Sequence, residues 1–542
     1  MAVAPRRTTA VPRTLDRFLL AAVLIVLGAT ILYPVSRLVV EAVSHWRFDA
    51  LTRGAGLAAV RNTVSISLLS VLTSGLAGTA MAFAFARVSF PGRALLAGLA
   101  YLPFTLPPLV GVVSFYYIIG RDGFAPRLLE HVLGFQSLNF DGPGAILLIH
   151  TYSFFVFFYA MVSAALESLD AAQLEAARTL GASRFRVFFR VTLPQLMPAL
   201  SGAALLTFMS SGASFSAPLI FGNSFPMLSV SVYEAQSRHN AAEAATLTVS
   251  LAAISLLGVL LFRSRQKSRG AASKGVRVAL RSAPARYLAS SAAAVLVALL
   301  LLPHLTIVWL SFVDHRAWHT EIVPTVFTFE NYATIFRDAS AFRPIRNSLW
   351  MSGVAAAVTL AVAVPAAYLV ARKRPGGRWV NALVMIPWAL PGTVIAINLI
   401  VAFNDPWLPL VGTVWMIPLA YFVRNMPLLT RMAAAAIEPF DATLIEAGRT
   451  LGASRAFCFK RIVLPLLAPA IGAGAALVFA NCLGEFVASI LLFAPANIPT
   501  AVRINEALRG SGIGVAFAYS VFLMLLVGLT FVVARRFASR IV

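Results

Sequence analysis

Two cysteines in 542 residues, Cys458 and Cys482, cannot build a disulfide framework, and neither is assigned a role. Charge is scarce too: 12% of the chain is Asp, Glu, Lys or Arg, against about a quarter in soluble proteins. Lysine occurs only at Lys267, Lys274, Lys373 and Lys460, and none stands in a G-x-x-x-x-G-K-[ST] setting. A phosphate-cradling loop is therefore excluded, and any ATP must bind another chain. Missing as well are an H-E-x-x-H, a Cys/His metal cluster and a G-x-S-x-G elbow, so no catalytic or metal-binding constellation is present. The histidines are scattered, and His45, His304, His315 and His319 read as ordinary residues near an outer interface.

What the chain does have is apolar surface. It is 59% hydrophobic with a mean hydropathy of +0.83, a composition that belongs in a bilayer. The net charge of +23 comes from short basic clusters between apolar runs, not from a basic domain, so it reads as a topology signal and not as a nucleic-acid surface.

Crossing about 30 Å of hydrocarbon takes ~20 apolar helical residues, because lipid offers no partners for backbone polar groups. That rule places twelve spans, near 18–40, 62–86, 94–119, 144–166, 196–222 and 242–262, then 288–312, 347–371, 379–403, 408–430, 467–493 and 513–534. The first follows Arg6, Arg7, Arg13 and Arg17 and is long for a signal peptide, so an uncleaved span is expected. Arg87 and Arg93, Arg178 to Arg190, the basic run 263–286, Arg372 to Arg378, Arg449 to Arg461 and Arg535 to Arg540 all fall on one side. Positive charge favours the cytoplasm, so both termini are expected there.

The chain also repeats itself. "RNTVSISLLS" at Arg61 matches "RNSLWMSGVA" at Arg346, and "LPFTLPPLVGVV" at Leu102 matches "IPWALPGTVIAI" at Ile386, offsets of 285 and 284. "EAARTLGASRFRVFFRVTLP" at Glu175 returns as "EAGRTLGASRAFCFKRIVLP" at Glu446, an offset of 271. The expected organisation is a first repeat over 1–262, a basic linker over 263–286 and a second repeat over 287–542, the repeats running parallel in the membrane. The fold class is all-α and polytopic.

The repeated segments 170–194 and 441–465 are punctuated alike. Asp170 can cap a helix, with Gln173 three residues on completing a capping-box-like pattern. Gly181 ends that helix, Ser183 caps the next, and Pro194 interrupts it as the following span begins. Asp441, Gly452, Ser454 and Pro465 repeat the scheme, and Ala176, Ala177, Ala447 and Gly448 keep one helical face thin. Two matching copies, each after the fourth span of its half, fit a docking element better than a loop resting on headgroups.

These segments resemble the "EAA" cytoplasmic loop of permease subunits of bacterial ABC importers, at Glu175, Ala176, Ala177, Gly181, Leu193 and Pro194, and at Glu446, Ala447, Gly448, Gly452, Leu464 and Pro465. Only Gly448, in place of Ala, departs from the pattern. The resemblance implies a type I importer permease fold in the bacterial inner membrane. It also implies an ATP-binding subunit homodimer, carrying ATP and Mg, seated on the two loops, with an extracytoplasmic substrate-binding protein opposite. A single chain with two halves and the stretches "ASFSAPLIFGNSFPMLSVSVYEAQ" and "EFVASILLFAPANIPTAVRINEAL" is similar to fused ferric-iron permeases, while thiamine, aminoethylphosphonate, polyamine and sulfate importers share the architecture.

Polar groups inside spans are costly and mark candidate pathways. Ser211, Ser214 and Phe215 in the first half and Asn481, Glu485 and Phe486 in the second lie in matched regions, Glu485 opposite Ser214 and Phe486 opposite Phe215, with helix packing an equal reading for the serines. Glu485, an acid in an apolar span, is expected to serve gating or cation passage. The matched Pro103, Pro107, Pro387 and Pro391 are expected to kink the third spans. A self-powered secondary transporter also has about twelve spans in two repeats, but it would need coupling-ion groups at the midplane, where acids are few.

Overall fold

The computed structural model describes residues 13–52, 54–121, 123–134, 140–169, 171–262, 278–279, 282–314, 324–405, 408–441, 443–510 and 512–538. Asp170, most of the 263–286 linker, His315 and His319 lie outside them. The described chain is a set of long helices; its one ladder is a two-residue parallel pairing of Val88–Ser89 with Val278–Ala279.

Among the described residues, nine uninterrupted helices are long and apolar enough to cross a membrane, and two bent helix pairs raise the number to eleven. The remaining expected span, 408–430, corresponds to helix Met416–Ile437, which is long enough but carries Arg424, Asn425 and Arg431 in its middle. Several helices outrun their expected bounds, as in Ala339–Ala371 and Gly54–Arg87. Hydropathy marks only the part that sits in lipid, while the helix continues into polar flanks.

The matched prolines break their spans outright. A 3₁₀ turn at Leu102–Thr105 and another at Ile386–Ala389 lead into extended Leu106 and Leu390, and new helices start at Pro108 and Gly392. The paired segments bend by 101° and 112°. Two prolines four residues apart remove two N–H donors, and the second of each pair leaves the residue before it, Leu106 or Leu390, extended, which is more than a single kink absorbs.

The chain forms two compact units, and they differ from the sequence repeats. One comprises Met1–Ser44, Ile335–Glu506 and Phe522–Val542; the other comprises His45–Thr334 and Ala507–Val521. Within the first, the leading helix Arg13–Leu27 packs on helices Ala339–Ala371 and Gly377–Met385 of the second repeat. Asp16 reaches the Arg374 guanidinium at 3.4 Å and accepts from the Tyr368 hydroxyl at 3.3 Å, a polar anchor at the end of this apolar contact. Within the second unit, helix Ala283–Leu310 packs on Arg93–Leu99 and Pro108–Ile119 of the first repeat, and the Ser290 hydroxyl donates to the Pro91 carbonyl.

At the core of each unit stand three helices. They are Gly54–Arg87, Gly142–Glu167 and Leu193–Gly212 in one, and Ala339–Ala371, Met416–Ile437 and Leu464–Leu483 in the other. The repeat extends to individual bonds. Asn62 donates to the Pro226 carbonyl, and its counterpart Asn347 donates to those of Ala496 and Ile498. The next residues, Thr63 and Ser348, accept from the backbone N–H groups of Leu228 and Thr500.

Candidate functional site

The two repeated loops have nearly the same geometry. Helix Ala171–Thr179 ends where Gly181 takes φ +78°, and helix Thr443–Thr450 ends where Gly452 takes φ +85°. Each turn closes with a bonded pair: Gly181 N–H to Arg178 and Ala182 N–H to Ala177 in the first, Gly452 to Arg449 and Ala453 to Gly448 in the second. This is a Schellman ending, whose left-handed residue favours glycine because it has no Cβ. Ser183 then accepts from the Arg186 N–H, and Ser454 from the Phe457 N–H, as expected of caps. In the second loop Asp441 accepts from the Thr443 N–H at 2.9 Å, and this bond holds its carboxyl below the usual carboxylate range.

Pro194 and Pro465 do not interrupt the helices that begin after Ser183 and Ser454, which run on into the spans. Each is preceded by a wide π-turn, Phe188–Thr192 or Phe459–Val463, and sits in the first turn of helix Leu193–Gly212 or Leu464–Leu483. Opening one turn to an i→i+5 pattern, with Leu193 bonded to Phe188 and Leu464 to Phe459, accommodates a ring that would clash with a tight turn. The loop is thus joined rigidly to the span, and a helix runs from Arg184 to Gly212.

Glu175, Ala176, Glu446 and Ala447 are exposed, while Ala177 and Gly448 are half-buried. A Cβ on Gly448 would lie 3.1 Å from the Cys458 sulfur and from Ile462, so the departure from alanine fits the larger neighbour packed there. At each loop tip a leucine that sequence reasoning passed over stands almost fully in the open: Leu180 at 87% and Leu451 at 88%. Their signal lay in the repeated "RTLGAS", where an apolar residue just before a glycine turn has no helix face to join.

The expected pathway residues divide. Ser211 is buried in a three-helix network, 3.1 Å from the Ser70 hydroxyl and 3.0 Å from His150 Nδ1, and Ser70 lies 3.0 Å from the same nitrogen. It ties Leu193–Gly212 to the two other core helices, which favours the packing reading for this serine. The Ser214 carbonyl accepts from the Ser229 hydroxyl, and Phe215 packs edge-on against Tyr233. Phe486 is buried, whereas Asn481 is exposed, with its amide 3.5 Å from Asn425 Oδ1.

Glu485 is not held out as a free cation ligand. Its Oε2 lies 2.8 Å from Arg424 Nε on helix Met416–Ile437, and its Oε1 accepts from the Ala488 N–H at 2.9 Å. A lone acid in this setting would be neutralised, so its partner is the missing half of the reading. Arg424 could have been found in "YFVRNMP", an arginine inside an apolar run. Among the described residues no group of three or more His, Cys, Asp or Glu could hold a metal ion.

The family described as the inner membrane component of binding-protein-dependent transport systems matches residues 74–267 and again 349–542. The chain belongs to this family. It is an ABC importer permease with both membrane repeats in one polypeptide. The probable ABC transporter permease protein y4fN of Sinorhizobium fredii is 30% identical over 90% of this permease and 88% of its own length. The ferric transport system permease protein FbpB of Actinobacillus pleuropneumoniae is 28% identical over 88% of this permease and 71% of its own length. The molybdenum transport system permease protein ModB of Escherichia coli is 34% identical over 37% of this permease and 90% of its own length. Family membership decides against a self-powered secondary transporter. The two matched segments begin after the first helix of each half, so Arg13–Leu27 and Ala283–Leu310, the leading helices that pack on the opposite repeat, lie outside them.

Proposed function

We propose that this permease forms the translocation pathway of a ferric-iron importer in the bacterial cytoplasmic membrane, with both termini in the cytoplasm. A homodimer of ATP-binding subunits, carrying ATP and Mg, seats on the loops 170–194 and 441–465, and an extracytoplasmic binding protein delivers the cargo. The observation that carries the coupling role is the duplicated loop: one helix, a fixed left-handed glycine turn and an exposed leucine, joined without a break to a membrane helix. A rigid lever of this kind converts movement of a docked subunit into movement of the span. Glu175, Ala176, Ala177, Gly181 and Pro194, with Glu446, Ala447, Gly448, Gly452 and Pro465, build the two levers.

Ferric iron as the cargo rests on the FbpB relatives, one of which aligns over most of this chain. The ModB and CysW relatives, named for molybdenum and sulfate transport, support an oxyanion as the second reading. Reconstitution of the permease with its ATPase and binding protein in vesicles tests both. ATP-dependent accumulation of iron and not of molybdate or sulfate supports the first; the reverse overturns it.

A further inference from the structure

Glu485 offers no free oxygen, so the group left available in this part of the second repeat is its partner. The Arg424 side chain is 37% exposed against 7% for Glu485. Its Nε is committed to the carboxylate, while its two terminal amino groups carry no protein hydrogen bond among the described residues. They are also given room. Gly392 lies against the guanidinium, where a Cβ would come 2.3 Å from Nη1, so a side chain at 392 would displace the group. Exposed Asn481, near the end of helix Leu464–Leu483 and four residues before Glu485, lies with its amide 3.5 Å from Oδ1 of Asn425, the residue next to Arg424.

A guanidinium bound through Nε presents its outer edge, two parallel N–H groups matched to two oxygens of one anion. In a membrane helix such a charge is costly and marks a site of use. The adjacent carboxylate brings the pair to neutrality, so an anion is attracted at short range without being trapped by a full net charge, a condition for passage.

We propose that Arg424 contacts the cargo, and that the cargo there is an anion presenting paired oxygens: a free oxyanion, or ferric iron carried in a carboxylate chelate of net negative charge. Glu485 is the positioning residue that fixes the guanidinium. The inference rests on the transport reading above and narrows the chemical class of what is transported.

The test uses the complete complex of permease, ATPase and binding protein in vesicles, offered ferric citrate in one arm and molybdate in the other. Arg424→Gln with Glu485→Gln removes both charges and leaves the site neutral. Uptake falls at least tenfold in that double variant, while membrane abundance and ATP hydrolysis hold. Arg424→Lys keeps the charge and the ion pair but loses the paired N–H edge, and uptake falls several-fold. The arm that shows the dependence names the source, chelate or free oxyanion. Uptake at the wild-type rate in either variant overturns the inference and leaves the transport reading standing. If the double variant does not assemble, the Arg424→Lys result alone decides. Wild-type complex that moves neither cargo on ATP overturns the transport reading, and this inference with it.

Discussion

The two repeats share a scaffold, and three of the places where they differ form one cluster. Where the second repeat has Gly392, Arg424 and Glu485, the first has Pro108, Ser153 and Ser214. These differences belong together: the arginine needs the acid to neutralise it and the glycine to clear space for it. The first repeat buries polarity elsewhere, at Ser70, His150 and Ser211, whose counterparts are Ala355, Tyr421 and Cys482. Tyr421 instead meets the Ser489 hydroxyl at 2.8 Å. A duplicated fold has kept its helices and turns and diverged in what its core helices hold between them.

The largest expected effect comes from half-converting the second repeat into the first. Arg424→Ser strands a buried carboxylate and destabilises the purified permease by about 2 to 3 kcal/mol, below the value for a fully buried pair because Arg424 is partly exposed. Adding Glu485→Ser recovers most of that loss, and thermal unfolding of the four members of the cycle measures the coupling. Next comes Gly392→Ala, which crowds Arg424 and costs about 1 to 3 kcal/mol. In an Arg424→Ser background the same change meets only Val487, at 3.3 Å, and costs less.

The loops are expected to break the comparison in the other direction, because they behave alike. Gly181→Val and Gly452→Val each force a β-branched residue into a left-handed turn, at about 1 to 2 kcal/mol. Either one uncouples ATP hydrolysis from uptake, measured on the same vesicles; normal transport by both variants contradicts the lever. Smallest is Ser211→Ala, which removes hydrogen bonds worth about 1 kcal/mol from a network that exists only in the first repeat. Cys482→Ala, its counterpart, loses only a weak sulfur acceptor, 3.4 Å from Asn425 Nδ2, and costs less.

The parts legible in the sequence are those with local causes. Span positions follow from runs of apolar residues, and the loop turns follow from Gly181, Gly452, Ser183 and Ser454, each acting within a few residues of itself. The breaks at Pro103, Pro107, Pro387 and Pro391 were visible as kinks, though not their sharpness, since that depends on paired rings acting together. What stayed hidden is long-range. Arg424 and Glu485 are far apart in the chain, and nothing near Glu485 says which helix supplies its partner. His150 gave as little sign of Ser70 and Ser211. Nor does an apolar run reveal which repeat it packs on: the leading helix joins residues 335–506 through contacts such as Asp16 with Arg374, and hydropathy is blind to such choices.

The central claim, that both loops are seats for a separate motor, is tested most directly by the exposed leucines at their tips. The permease carrying Leu180→Asp and Leu451→Asp is co-expressed with its ATPase subunit, extracted from the membrane, and the ATPase retained on it is measured. The account predicts wild-type abundance of the permease, partial loss of ATPase with either substitution and near-complete loss with both. Full retention of the ATPase by the double variant would contradict it.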